Sequence, residues 1–335
     1  MDRTKLEPIL DRFSKSRIMV IGDIMLDEYL EGTVERISPE APIPVVNLFN
    51  NKKRDIRFGG AANVFNNLAA LGGRDIFLCG IVGDDPDGRL IKEKLGHMGV
   101  ETGGLIVDKE RPTTVKTRII AHNQQVIRLD REESSPVSAA SRDRLASFIK
   151  DRLDCLDAII FSDYEKGVIT GDLLEDVIAR ARKSNITVAV DPKFTNFRLF
   201  KNVTVVVPNK KEASGFARHE INTDNDSLMA ARYILDSLEC ECVLVKLGEQ
   251  GMRLVDRQVG NVLIKTAAEH VYDVTGAGDT VISTLVLAKT AGASWEESAM
   301  IANVAAGIVI HYIGTSAVNA RQLKKAIFDN RFPEP

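Results

Sequence analysis

Cysteine is scarce: the 335 residues hold four, Cys79, Cys155, Cys240 and Cys242. They are scattered or set in apolar runs, which excludes a disulfide framework and fits reduced thiols in a cytoplasmic protein. Cys240-Glu241-Cys242 has no second Cys/His pair to complete a zinc site, so it reads as alternation at a strand start. A surplus of one charge is also missing. Lys and Arg number 44 against 47 Asp and Glu, a net charge of −3, which points to neither nucleic acid nor a membrane surface as a partner. No apolar run is long enough to span a bilayer. The first 17 residues are charged and lack a signal-peptide core. There is no internal repeat and no low-complexity segment. No Gly-x-Gly-x-x-Gly follows the first apolar strand, which argues against a dinucleotide oxidoreductase.

Present instead is an ordinary globular composition, 44% hydrophobic and 27% charged, in a chain long enough for one large or two modest domains. Short apolar runs alternate with helical patterns. Ile18 to Asp23, Asp75 to Gly83, Asp157 to Tyr164, Ile186 to Lys193, Val203 to Val207 and Cys242 to Gly251 read as strands, several ending in an acid or a turn. Helical spacing lies between them, as in Leu173 to Lys183. This rhythm predicts an α/β fold with a mostly parallel sheet and helices on both faces. Two stretches break it: Glu28 to Arg57, with Pro39, Pro42 and Pro44, and Pro112 to Asp130, with the alternation of a hairpin. Both read as inserts that together form a small β lid.

The chemistry concentrates in Tyr272-Asp273-Val274-Thr275-Gly276-Ala277-Gly278-Asp279-Thr280, between a strand pattern at Gly260–Ile264 and a helical pattern from Val281. Gly276 and Gly278 permit a tight turn and a close approach of backbone N–H groups to a ligand. A helix N-terminus just beyond them offers unpaired donors and partial positive charge to a phosphate. Asp279 has two readings at that spot, a base for an attacking hydroxyl or an N-cap. Asp23 and Asp27, at and just past a strand end, are candidates for polyol hydroxyls, with turn and cap chemistry as the alternative. Gly59-Gly60 followed by Asn63 permits close approach to a ligand at a helix start. Asn209 and Glu212 lie three apart at a helix opening, where they read either as a capping box or as groups that orient hydrated Mg²⁺ and phosphates.

Asp273 to Thr280 resembles the C-terminal signature of the ribokinase (phosphofructokinase-B) family of sugar kinases. Gly59-Gly60 with Asn63 is similar to its N-terminal signature, and Asn209 with Glu212 to its Asn-x-x-Glu motif. The resemblance runs nearly the length of the chain. It implies a ribokinase-like three-layer α/β/α fold: one kinase domain over residues 1–335, with lid segments near 28–57 and 112–132. It implies that Asp279 is the catalytic base and that Gly276, Ala277 and Gly278 form the anion hole. Asp23, Asp27, Gly59, Gly60, Asn63, Gln125, Arg128 and Lys193 fall on the sugar side. Asn209, Glu212, Lys246, Gly248 and Asn303 fall on the ATP side, with Mg²⁺ held through water by Glu212. Asp273 and Thr275 stand beside a monovalent cation, K⁺, in many members. A lid of this kind also implies a homodimer.

Finer strings are similar to the branch of that family that phosphorylates D-glycero-D-manno-heptose 7-phosphate on its anomeric hydroxyl, for ADP-heptose and lipopolysaccharide synthesis. They are Gly22 to Asp27, Arg36 to Val46, Gly59 to Val64, Pro112-Thr113-Thr114, Gln124-Gln125, Asp130 to Glu133, Ser162-Asp163-Tyr164 and Asp191-Pro192-Lys193. A substrate that already carries a phosphate needs a cation at its far end. Lys193, Arg128 and Arg131 are the candidates, with Lys116 and Arg118 behind them; Lys193 leads because it ends a strand at the crevice, and contact with the ATP γ-phosphate is its alternative. The chain stops at Pro335, which resembles kinase-only relatives. Glu165 stands where that branch often has Gly, which puts the local loop in question. The rivals are a kinase of the same family for another sugar or sugar phosphate, and a non-catalytic sugar or nucleotide sensor on the same fold.

Overall fold

The computed structural model describes residues 3–49, 54–122, 124–258, 260–267 and 272–328. Helix α1 (Arg3–Asp11) leads into strand β1 (Arg17–Gly22). Three strands follow, β2 (Ile24–Ile37), β3 (Pro44–Leu48) and β4 (Asp55–Gly60), then α2 (Ala61–Ala70), β5 (Asp75–Gly83), α3 (Pro86–His97) and β6 (Leu105–Asp108). A second excursion, β7 (Thr114–Ala121) and β8 (Gln124–Arg131), precedes α4 (Ala139–Lys150), β9 (Ala158–Ser162), α5 (Gly171–Lys183), β10 (Thr187–Asp191) and β11 (Val205–Val206). The rest is α6 (Lys210–Ala217), α7 (Asp224–Ser237), β12 (Cys242–Lys246), β13 (Met252–Asp256), β14 (Gly260–Ile264), α8 (Ala277–Thr290), α9 (Trp295–Val309) and α10 (Ala320–Phe328).

Nine strands form the main sheet, in the order β14-β13-β12-β11-β10-β9-β1-β5-β6. Pairing is parallel from β6 through β12. It becomes antiparallel only at the edge, through β13 and β14. The parallel strands are covered on both faces, which is why they read as unbroken apolar runs. In β1, Ile18 and Val20 enter a core with α2, α8 and α9, while Met19 and Ile21 enter the opposite core with α4, α5 and α7. The fold is the ribokinase-like α/β arrangement. Parallel strands bring their carboxyl ends to one edge, so Asp23, Asp163, Asp191 and Lys246 gather there although they are distant in sequence.

The two inserts build a second sheet of five strands. The long β2 is its spine. It pairs β4 over Ile24–Tyr29 and β3 over Gly32–Ile37, and carries β7 along its other edge, with β8 outside β7. Pairing begins at Ile24 and ends at Gly60, a few residues beyond the limits that proline and alternation suggested. The cause is a backbone pin: Asp23 N–H donates to Ser162 O at 3.2 Å, and Ala61 N–H donates to Asp23 O at 2.9 Å. Asp27 therefore belongs to the small sheet and not to the end of β1.

Gly60 joins that sheet to α2. Its φ is +54°, and a side-chain carbon there would fall 2.3 Å from Asp23 O and 2.9 Å from Met25 Cε. Only glycine fits such a backbone at that distance. Gly60→Ala should therefore lower stability by roughly 1–3 kcal/mol from the strained φ alone, before the clash. An unchanged denaturant midpoint would show that the strand–helix junction relaxes freely.

Candidate active site

The site begins at the N-terminus of α8. Gly276, with φ +78°, is the N-cap. A side-chain carbon on it would lie 2.9 Å from Asn63 Nδ2, so glycine lets α2 and α8 close on each other. The N–H of Ala277 is turned back onto Val274 O at 3.1 Å. That removes Ala277 from the expected anion hole. The first-turn N–H groups of Gly278 and Asp279 have no intrahelical acceptor, and both residues line a cavity. Asp279 itself is not the N-cap, which excludes the capping reading.

Asp279 is 2% exposed. Asn63 Nδ2 donates to its Oδ2 at 2.7 Å, and the Tyr164 hydroxyl donates to its Oδ1 at 2.9 Å. Burial pushes the Asp279 carboxyl up to about 7; Asp191 adds to this, while Asn63, Tyr164 and Lys246 oppose it. Behind it a buried polar ladder joins the two helices. Asn67 Nδ2 donates to Asn63 O, Thr280 Oγ1 to Asn67 Oδ1, and Ser283 Oγ to Val64 O. Each member has a partner, so the ladder fixes the register of α2 on α8 without stranding a polar group.

In front of Asp279 lies a cavity of about 1070 Å³. Its wall includes Tyr164, Asp191, Lys193, Asn209, Lys246 and Gly276–Asp279, and also Gly248, Asn303 and Gly307. Two ammonium groups stand over the helix terminus. Lys246 Nζ donates to Asp191 Oδ1 at 2.7 Å and lies 3.1 Å from where a carbon on Gly278 would be. Lys193 Nζ donates to Glu212 Oε1 at 2.5 Å. Burial opposes its charge, but Asp191 and Glu212 hold the Lys193 ammonium above its usual range. Lys193 thus lines the same cavity as the N-terminus of α8.

Asn209 and Glu212 do form a reciprocal capping box on α6. Glu212 Oε2 accepts from Asn209 N–H at 2.7 Å while Oε1 holds Lys193. Both oxygens are engaged within the protein. Asp273 is likewise engaged: Oδ1 accepts from Thr275 N–H and Oγ1, and Oδ2 from Gly314 N–H at 2.7 Å. Burial opposes these bonds, yet they hold Asp273 below the usual carboxylate range. Among the described residues, no cluster of three His, Cys, Asp or Glu side chains is arranged to hold a metal.

The remaining sugar-side candidates divide. Asp23, 1% exposed, accepts from the N–H groups of Tyr164, Lys166 and Val168 at 2.7, 3.1 and 3.3 Å. Its carboxylate is a strut for the loop after β9, and these bonds leave it little capacity for a sugar hydroxyl. Asn63 serves Asp279 directly. Asp27 is buried in an ion pair with Arg118, and a carbon on Gly59 would lie 2.4 Å from Asp27 Oδ2. Gln125 and Arg128 lie on β8, whose residues are all exposed, and Arg128 is paired to Asp130. Neither reaches the cavity. Tyr164 and Asp191 were not assigned a role from the sequence. Their signals were position, at the carboxyl ends of β9 and β10, and their place in two of the strings that carry the resemblance.

The pfkB family carbohydrate kinase model matches residues 15–321. The chain is 41% identical over 327 residues to the bifunctional protein HldE of Syntrophotalea carbinolica, covering 98% of this chain and 66% of that protein. With the protein of the same name from Citrifermentans bemidjiense it shares 43% over 324 residues, covering 96% and 66%. The chain thus spans just under two thirds of these relatives. Among solved structures, Escherichia coli phosphofructokinase-2 in complex with potassium superposes with a TM-score of 0.75 at 19% identity, covering 92% of this chain and 97% of that one. Arabidopsis thaliana ribokinase complexed with ribose and ATP gives 0.73 at 21%, covering 92% and 98%. Matched along most of its length by the family model, this chain belongs to the pfkB family of carbohydrate kinases.

Proposed function

We propose that the chain transfers the γ-phosphoryl group of ATP to the anomeric hydroxyl of D-glycero-D-manno-heptose 7-phosphate, giving the 1,7-bisphosphate for ADP-heptose and lipopolysaccharide synthesis. One observation carries the chemistry: a buried, donor-held Asp279 lies beside first-turn amides and two lysines at the wall of a large cavity. The heptose phosphate rests on the finer strings around Asp23, Arg36 to Val46 and Asp191, and on the 41% identical relative named HldE.

ATP occupies the cavity, with its base toward Gly248, Asn303 and Gly307 and its terminal phosphates toward Gly278. The acceptor lies between Asp279 and the small sheet. Asp279 takes the proton from the anomeric hydroxyl. That oxygen forms a bond to the γ-phosphorus as the bond to the β-phosphate oxygen breaks, and ADP leaves. Lys193, Lys246 and the Gly278 and Asp279 amides hold the charge that spreads over the phosphoryl oxygens. Positioning and charge stabilisation supply most of the rate in such a loose transition state. Asn209 and Glu212 would hold Mg²⁺ through water, and the ion would neutralise charge on the phosphates. K⁺ near Asp273 and Thr275 is the companion proposal.

Of the basic candidates for the acceptor's own phosphate, Arg128 and Arg131 have side chains 48% and 53% exposed. Lys116 and Arg118 are turned in, at 14% and 11%, and are the better assignment. The five-stranded sheet acts as the lid and as a homodimer interface. Its exposed Ile37, Ile43, Leu48, Ile127 and Leu129 would be covered by a second copy. The reaction is assigned to the cytoplasm; among the described residues no helix is long and apolar enough to cross a membrane.

A coupled ADP-release assay with heptose 7-phosphate against fructose phosphates and free sugars tests the acceptor. Preference for a hexose overturns the heptose assignment, and no ADP release with any phosphosugar favours a sensor. Asp279→Asn should keep ATP binding and lose turnover by about 10²–10⁴-fold. The same variant reads the cost of burying the carboxylate. Because the Asp279 carboxyl is raised to about 7, its contribution to stability is full below about pH 4 and is lost as pH rises through about 7. The melting temperature of Asp279→Asn should therefore climb relative to the native protein between about pH 5 and pH 8. A flat difference would show that neighbouring groups already offset the charge. Leu129→Asp should shift the protein to monomers in analytical ultracentrifugation, and an unchanged dimer would place the interface elsewhere.

A further inference from the structure

Asp279 is gripped from two directions by elements distant in the chain. Asn63 arrives on α2 and holds Oδ2; Tyr164 arrives on the loop after β9 and holds Oδ1. The loop that carries Tyr164 is unusually well braced. Asp23 takes three of its backbone N–H groups. Asp163, fully buried, accepts from Glu165 N–H at 2.9 Å and from Asn196 Nδ2 at 3.1 Å. Glu165 sits at φ +57°, a conformation that costs a non-glycine residue about 1 kcal/mol or more. Its carboxylate accepts from Thr195 N–H at 2.7 Å, two residues past Lys193. Lys193 Nζ in turn stands 5.2 Å from the centroid of the Tyr164 ring. Three carboxylates thus fix one phenol between the base and a phosphate-side ammonium.

We infer that Tyr164 is a positioning residue for the base: its hydroxyl, opposite the Asn63 amide, locks the Asp279 carboxylate in the orientation that receives the acceptor's proton and favours its ionised form. This rests on Asp279 being the base, as proposed above. A donor to a carboxylate stabilises the charged state. The other charged groups that face Asp279 are Asp191 at the end of β10, which opposes ionisation, and Lys246 at the end of β12, which favours it. Lys193, beyond β10, also feels the Asp279 charge. The phenol is a reliable donor, because burial, together with Asp279 and Asp191, raises it well above its ordinary range. With one hydrogen bond on each oxygen, each retains a lone pair, so the acceptor hydroxyl does not have to displace Tyr164.

Tyr164→Phe keeps the ring beneath Lys193 and removes only the O–H. With saturating ATP and heptose 7-phosphate, or the sugar phosphate preferred in the acceptor panel, the acid limb of the kcat profile should move up by about 1 pH unit. Turnover should then fall about fivefold at pH 7 and recover by about pH 9, with KM for ATP held within about twofold. Placing 3-fluorotyrosine at position 164 makes the phenol a stronger donor and should move the limb downward. A superimposable profile for both variants overturns the inference. So does a pH-independent loss accompanied by a higher KM for ATP, which marks Tyr164 as a nucleotide contact only. Asp279→Asn is run alongside: near-native turnover there removes the base assignment, whereas an inactive Asp279→Asn with an unmoved Tyr164→Phe profile removes only the role of Tyr164.

Discussion

The structure turns on a carboxylate kept out of water. As the proposed base, Asp279 must be ionised to accept a proton, yet it lies almost fully buried against α2. Desolvation alone would drive it to the neutral acid. Donors from Asn63 and Tyr164 and the ammonium of Lys246 counter that pressure, and the outcome is a group poised near neutral pH. A base is most useful when its proton affinity lies close to the working pH. The packing of α2 on α8, the glycine at their contact and the ladder through Asn67, Thr280 and Ser283 all maintain this one balance.

The same accounting explains the acids around it. Asp191 and Glu212 each hold a lysine in an ion pair, Asp191 with Lys246 and Glu212 with Lys193. A lysine tethered to a buried carboxylate has fewer rotamers to lose when phosphate arrives. Glu212 combines this with its place in a capping box, so the two readings of Asn209 and Glu212 are compatible. Asp23 has become a backbone strut. Its carboxylate converts the end of β1 into a support for the loop bearing Tyr164.

The small sheet is tied to this centre through covalent continuity. β2 leaves β1 through Asp23, and β4 enters α2 through Gly60, three residues before Asn63. Any movement of that sheet therefore pulls on the helix that holds Asp279. Its inner pairs, Asp27 with Arg118 and Lys116 with Glu132, are shielded, whereas β8 presents Ile127 and Leu129 to solvent. An apolar outer strand is an unfavourable edge in isolation, which is the physical ground for proposing a second subunit there.

Much of this was legible in the chain itself. Unbroken apolar runs such as Ile18–Ile21 marked strands buried on both faces. The interruption of the βα rhythm marked the second sheet, and glycines beside Asp279 marked the anion-binding turn. Those signals are local, since they depend on periodicity and on which backbone angles a residue permits. The partners of the polar groups were not local. Tyr164 and Asn63 meet Asp279 from 115 and 216 residues away. Lys193 turned toward Glu212, and Asp23 toward three amides, because parallel strands deliver their ends to one edge in an order set by sheet topology. The sequence alone determined which chemistry was available; the tertiary structure decided which oxygen each donor would face.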